Sequence, residues 1–121
     1  MGIGIISVNH VNVTVPAAQE ANARHFYGVL LGLRQIPKPA GPRQNIGAWY
    51  QINGAQLHLS IEDDVQNDAS DRHVCYQVAD LHVAMGQLRE AGINITPDRD
   101  QSRFFVRDPG GNLIEITQKT D

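Results

Sequence analysis

The sequence predicts an α+β fold built from one unit used twice, and three observations lead there. Each half of the chain runs strand, helix, strand, glycine turn, strand in the pattern of its apolar residues. HVNVTV at 10–15 has a counterpart in HVCYQV at 73–78. QLHLSI at 56–61 has a counterpart in LIEITQ at 113–118.

The elements of the first half follow from periodicity and stop signals. Residues 5–15 read as a strand, with His10, Asn12 and Thr14 on one face and Val11, Val13 and Val15 on the other. Pro16 ends it. Residues 17–31 read as a helix, with Ala23, Phe26, Tyr27, Leu30 and Leu31 at helical spacing and Gly32 as the stop. A Pro- and Gly-rich loop covers 37–42. Residues 46–52 read as a strand, Asn53-Gly54 as a hairpin turn, and 56–61 as the next strand. In that last strand Leu57, Leu59 and Ile61 share one face, and Gln56, His58 and Ser60 the other.

The stretch EDDVQNDASD at 62–71 is acidic and lacks apolar periodicity. Its carboxylate spacing matches no EF-hand loop, so it reads as a solvated linker between the halves. A strand at 73–78 follows, with His73, Cys75 and Gln77 opposite Val74, Tyr76 and Val78. Asp80 is a good N-cap for a helix whose stripe is Leu81, Ala84, Met85 and Leu88 and whose stop is Gly92. The loop 94–102 leads into RFFVRDPGGNLIEIT, which reads as strand (104–106), tight turn (108–112) and strand (113–117). Residues 1–121 are thus expected to form one domain: a first module over 5–62, the linker over 62–71 and a second module over 72–118.

Composition narrows the function classes. A formal net charge of −3 argues against a nucleic-acid or anionic-membrane partner. The lone Cys75 excludes an intrachain disulfide and fits a reducing compartment, so a cytoplasmic location is expected. The first residues, MGIGIISVNH, lack the basic n-region of a signal peptide, and Ile6 stands where a myristoylation signal needs Ser or Thr. No run is long enough for a membrane helix.

The repeat register aligns four side chains of ligand type. His10 pairs with His73, and His58, set between Leu57 and Leu59, pairs with Glu115, set between Ile114 and Ile116. Each lies on the face opposite its strand's apolar residues. If helices cover the apolar faces, all four share a concave, more polar face. A carboxylate flanked by isoleucines costs energy unless something pairs with it. Neutral imidazole and carboxylate suit a divalent Fe, Ni, Zn or Mn ion, and two His with one carboxylate leave positions open for a substrate. His25 and His82 fall on helices outside this register and read as surface residues.

The chain resembles the vicinal oxygen chelate superfamily, which holds glyoxalase I, extradiol dioxygenases, fosfomycin and bleomycin resistance proteins and methylmalonyl-CoA epimerase. His10 in NHVNVTV, FYGVLLGL at 26–33, HVCYQVADL at 73–81 and RDPGGNLIEI at 107–116 carry the resemblance. It implies paired βαβββ modules forming a cup-shaped mixed sheet with helices outside. It also implies one divalent metal ion inside, held by His10, His73 and Glu115. The fourth position, His58, is Glu or Gln in the glyoxalase and epimerase branches; here it stands as a metal ligand or as a catalytic base, with Glu115 the other catalytic candidate. Asn12 departs from the Thr of the fosfomycin branch, and Asp98-Arg99-Asp100 does not reproduce that branch's cation-binding loop. The expected function is a metal-dependent lyase or isomerase that chelates a small oxygenated substrate and moves a proton. A small extradiol-type iron dioxygenase and a metal-free binding protein are the alternatives. Sheet edges that need covering, together with the resemblance, imply a homodimer.

Overall fold

The computed structural model describes residues 1–120. Two βαβββ modules lie side by side, each a four-stranded mixed sheet. In the first, β1 (His10–Val15) pairs in parallel with β4 (Ala55–Ile61), which pairs antiparallel with β3 (Ala48–Ile52), which pairs with the short edge strand β2 (Arg34–Ile36). In the second, β5 (His73–Val78) pairs in parallel with β8 (Leu113–Gln118), then come β7 (Arg103–Arg107) and the two-residue edge strand β6 (Thr96–Pro97). The strand order is the same in both sheets.

A helix covers one face of each sheet. In the first module a 3₁₀ turn at Ala17–Gln19 leads into α1 (Glu20–His25), which widens to a π turn over Phe26–Leu30. Phe26 and Tyr27 are buried there with Tyr50, Leu57 and Leu59. In the second module α2 (Leu81–Glu90) starts at Asp80, whose side chain accepts a hydrogen bond from Val83 N at 3.1 Å. Leu81 and Leu88 of α2 are buried in the same core as Phe104, Val106, Ile114 and Ile116. Among the described residues no helix is long and apolar enough to cross a membrane.

Three expectations need correcting. The first strand begins at His10, not at residue 5. Gln56 is the partner of His10, and Gln56 N donates to Asn9 O at 3.0 Å, so β4 runs out there and residues 1–8 have no strand beside them. The third strand begins at Ala48, after Gly47. That glycine has φ +72°, and a Cβ on it would lie 2.1 Å from the Leu59 carbonyl oxygen. The acidic linker is not wholly solvated. It holds a 3₁₀ turn at Asn67–Ala69, and Asn67 is buried because its amide donates to Thr14 O at 2.9 Å and to Gly110 O at 3.3 Å.

The two modules meet at the Val15 end of β1. Asn112 Nδ2 donates to Thr14 O at 2.8 Å, beside the bond from Asn67. Gly110 packs so close to Val15 that a Cβ would fall 2.5 Å from Val15 Cγ1. Beneath this contact the Tyr27 hydroxyl donates to Asp108 Oδ2 at 2.5 Å. Asp108 is buried, and its other oxygen accepts from Gly110 N and Asn112 N, each at 2.9 Å. The carboxylate is therefore fully bonded where it is buried, as a buried charge must be. Burial, and then Asp108, push the Tyr27 phenol well above its usual range, so it stays a donor.

Candidate functional site

The four residues singled out in the sequence form two pairs. The first is His10 and His58. β1 and β4 run parallel with Asn12 opposite His58, which brings His58 one step diagonally from His10. Their imidazoles stack with centroids 4.0 Å apart and planes 14° apart. On the other face of His58 lies Trp49, directly opposite it on β3, with centroids 3.8 Å apart and planes 3° apart. His58 is thus sandwiched and only 7% exposed. Its Nε2 is 2.9 Å from Gln56 Oε1, so Nε2 carries the proton and Nδ1 the lone pair. Burial first, then His10 and Lys38, lower the His58 pKa below the usual histidine value and keep the ring neutral at pH 7. His10 is exposed, and its Nδ1 bonds Asn9 Oδ1 at 2.8 Å, which leaves the Nε2 lone pair free.

The second pair is His73 and Glu115. Cys75 is opposite Glu115 across β5 and β8, as Asn12 is opposite His58 across β1 and β4. The two pairs therefore occupy the same register on the two sheets, and Phe105, opposite Glu115, takes the place of Trp49. His73 Nδ1 donates to the Asp71 carbonyl at 2.9 Å, while Nε2 lies 3.2 Å from Glu115 Oε1. Two atoms that both carry lone pairs face each other there when the imidazole is neutral. A proton or a cation between them resolves the contact. Two ligand atoms each about 2.1 Å from a shared ion, at an angle near 100°, lie about 3.2 Å apart. The donors and their spacing fit a divalent ion.

Glu115 is held by His73 at one oxygen and by Arg103 at the other. Arg103 Nη1 lies 3.4 Å from Oε2, and Arg103 Nε donates to Asp98 Oδ2 at 2.8 Å. Cys75, opposite Glu115 on β5, has its thiol pKa pushed up by burial and then by Glu115, so it stays protonated. The Arg103 guanidinium also sits 5.7 Å from the centre of the Phe105 ring, and Phe105 meets His73 edge-on at 6.3 Å.

The two pairs do not join within one chain: among the described residues no three His, Cys, Asp or Glu side chains are placed to hold one metal ion. The geometry of the module contact gives the reason. Asn67, Gly110 and Asn112 grip β1 at its Thr14–Val15 end, and His10 is at the other end. Between the modules lies a cavity of 260 Å³ whose lining includes Tyr27, Asn67, His73, Tyr76 and Asn112. None of His10, His58 and Glu115 lines it. His25 and His82 are exposed on their helices, as their position outside the register implied.

Sequence reasoning missed Trp49, Asp98, Arg103 and Phe105 as neighbours of the site. The signal for Trp49 was present: a two-residue turn at Asn53-Gly54 sets Ile52 opposite Ala55, and counting back sets Trp49 opposite His58.

The model of the Glyoxalase/Bleomycin resistance protein/Dioxygenase superfamily matches residues 7–116. The structure is similar to that of a glyoxalase family protein from Bacillus anthracis, at 29% identity over 99% of this chain and 100% of that one, with a TM-score of 0.86. A glyoxalase/dioxygenase from Nostoc punctiforme has the same fold at 21% identity, with 100% of both chains covered and a TM-score of 0.72. So does a lactoylglutathione lyase from Agrobacterium tumefaciens, at 17% identity over 93% of this chain and 92% of that one, with a TM-score of 0.68. Family model and sheet topology agree, and the chain belongs to the Glyoxalase/Bleomycin resistance protein/Dioxygenase superfamily.

Proposed function

We propose that the chain is a metal-dependent enzyme whose site is completed by a second copy of itself. His10 and His58 of one copy face His73 and Glu115 of the other, and a homodimer carries two equivalent sites. The identical register of the two pairs carries this reading: each chain holds two matching half-sites that do not meet. The donor set of imidazoles and one carboxylate suits Fe(II), Ni, Zn or Mn.

When bound, the ion supplies a Lewis acid for a carbonyl or a pair of vicinal oxygens on a small substrate. The chain's own residues do the rest. The bond from His10 Nδ1 to Asn9 and the bond from His73 Nδ1 to Asp71 O leave the Nε2 atoms as those that would hold the ion. Arg103 takes Glu115 Oε2 and leaves Oε1 beside His73. His58 accepts the substrate proton: it is held neutral, its ring plane is fixed between His10 and Trp49, and Gln56 holds Nε2 so that Nδ1 is the basic atom. This is proton-transfer chemistry of the lyase or isomerase type.

Elemental analysis of the purified chain, followed by calorimetric titration with Ni, Zn, Mn and Fe(II), tests the metal. Nickel, zinc or manganese supports proton transfer, iron redirects the reading to oxygen chemistry, and no binding of any of the four overturns it. For whatever substrate is found, the metal-loaded His58→Gln variant separates base from bystander. Full turnover at unchanged metal content removes His58 from the chemistry.

A further inference from the structure

The segment before β1 is built to be covered. Ile3, Ile5, Ile6 and Val8 are 91%, 80%, 95% and 61% exposed, and they fall within a stretch of residues 1–9 that has no charged side chain. Scattered apolar side chains on a surface need no explanation, but four large ones in six consecutive residues do. The segment reads as a strand from residue 5 but finds no neighbouring strand among the described residues. Among the described residues its one backbone tie to the module is Asn9 O, which accepts from Gln56 N.

We propose that residues 1–9 are an arm that packs on a second copy of this chain and holds the two copies together. The proposal rests on the shared site set out above and names the element that secures it. β1 is an edge strand. Its outer edge is covered at the Thr14 end by the Asn67 and Asn112 amides, and the described residues provide no such cover at the His10 end. That open end continues directly into the arm and carries His10. A second copy that brings its His73 and Glu115 to His10 therefore arrives beside the arm. The arm has no Lys or Arg for an anionic membrane surface, and Gly4 at φ +73° interrupts it, so it is not an interfacial helix. Left open, an uncharged, β-prone edge invites uncontrolled pairing; a matching copy closes it.

The test compares the full chain with its Ile5→Ser/Ile6→Ser variant by sedimentation equilibrium. Hydrogen exchange of residues 3–8 is read in both, above and below the dissociation constant. The isoleucines are outside the core, so the variant keeps its fold, which circular dichroism checks. The expected result is a dimer for the parent chain, slowed exchange in the arm only in the dimer, and association weakened about a hundredfold or more in the variant. A dimer of unchanged affinity in the variant, with fast exchange in the parent arm, overturns the arm and leaves the shared site standing. A parent chain that stays monomeric to high micromolar concentration overturns both.

Discussion

Arg103 grips Glu115 by Oε2, the oxygen turned away from His73, at 3.4 Å, and is itself held by Asp98 at 2.8 Å. The fork of the guanidinium spans the two carboxylates, which an ammonium group cannot do in the same geometry. Arg103 is thus a positioning residue for the carboxylate that the proposed site presents to the ion. Arg103→Gln is expected to weaken metal binding by about 10- to 100-fold, the usual cost of losing a partner behind a ligand. Arg103→Lys should recover part of the loss. Calorimetry with the same ion on all three proteins checks this; an unchanged affinity in Arg103→Gln removes the role.

The pH dependence of stability follows from His58. Its pKa in the folded chain is lowered, chiefly by burial and then by His10 and Lys38, relative to the ordinary value of about 6.5 in the unfolded chain. On acidification the unfolded chain takes up this proton first. The contribution is fully present above about pH 6.5 and is lost as pH falls toward the folded pKa. In the metal-free protein, Tm should drop between pH 7 and pH 5, and less steeply in His58→Gln. Parallel Tm curves for the two proteins would contradict this.

The contact between modules makes a separate stability prediction. Tyr27→Phe deletes a 2.5 Å bond to a buried carboxylate and should cost about 1 to 3 kcal/mol in denaturant unfolding. Gly110→Ala puts a methyl group 2.5 Å from Val15 Cγ1 and should destabilise at least as much, because backbone on both sides must shift. A change below about 0.5 kcal/mol in both would mean that the modules are held by other contacts.

Much of this was legible before the structure. The repeat placed His10 with His73 and His58 with Glu115, and both sheets keep that register. The Asp80 cap and the Gly92 stop framed α2 because capping is local chemistry. Other features depended on contacts distant in sequence. The edge strands β2 and β6 are three and two residues long, too short for a periodicity to register. Where the first strand starts is set by where β4 runs out, not by the β-propensity of Ile5 and Ile6. Asn67 looked like linker because its two acceptors, Thr14 O and Gly110 O, come from the two modules it joins. Whether the half-sites meet in one chain or between two depends on which end of β1 the second module grips, and no local pattern encodes that.

Subunit complementation tests the shared site most directly. One variant carries His10→Ala and His58→Gln, the other His73→Ala and Glu115→Gln. Each is purified alone, and the two are co-expressed with different tags so that only mixed dimers are recovered. The shared site predicts no tight metal binding by either parent and one tightly bound ion per mixed dimer, because the intact half of each chain then faces the intact half of the other. Mixed dimers that bind no more metal than their parents would contradict it.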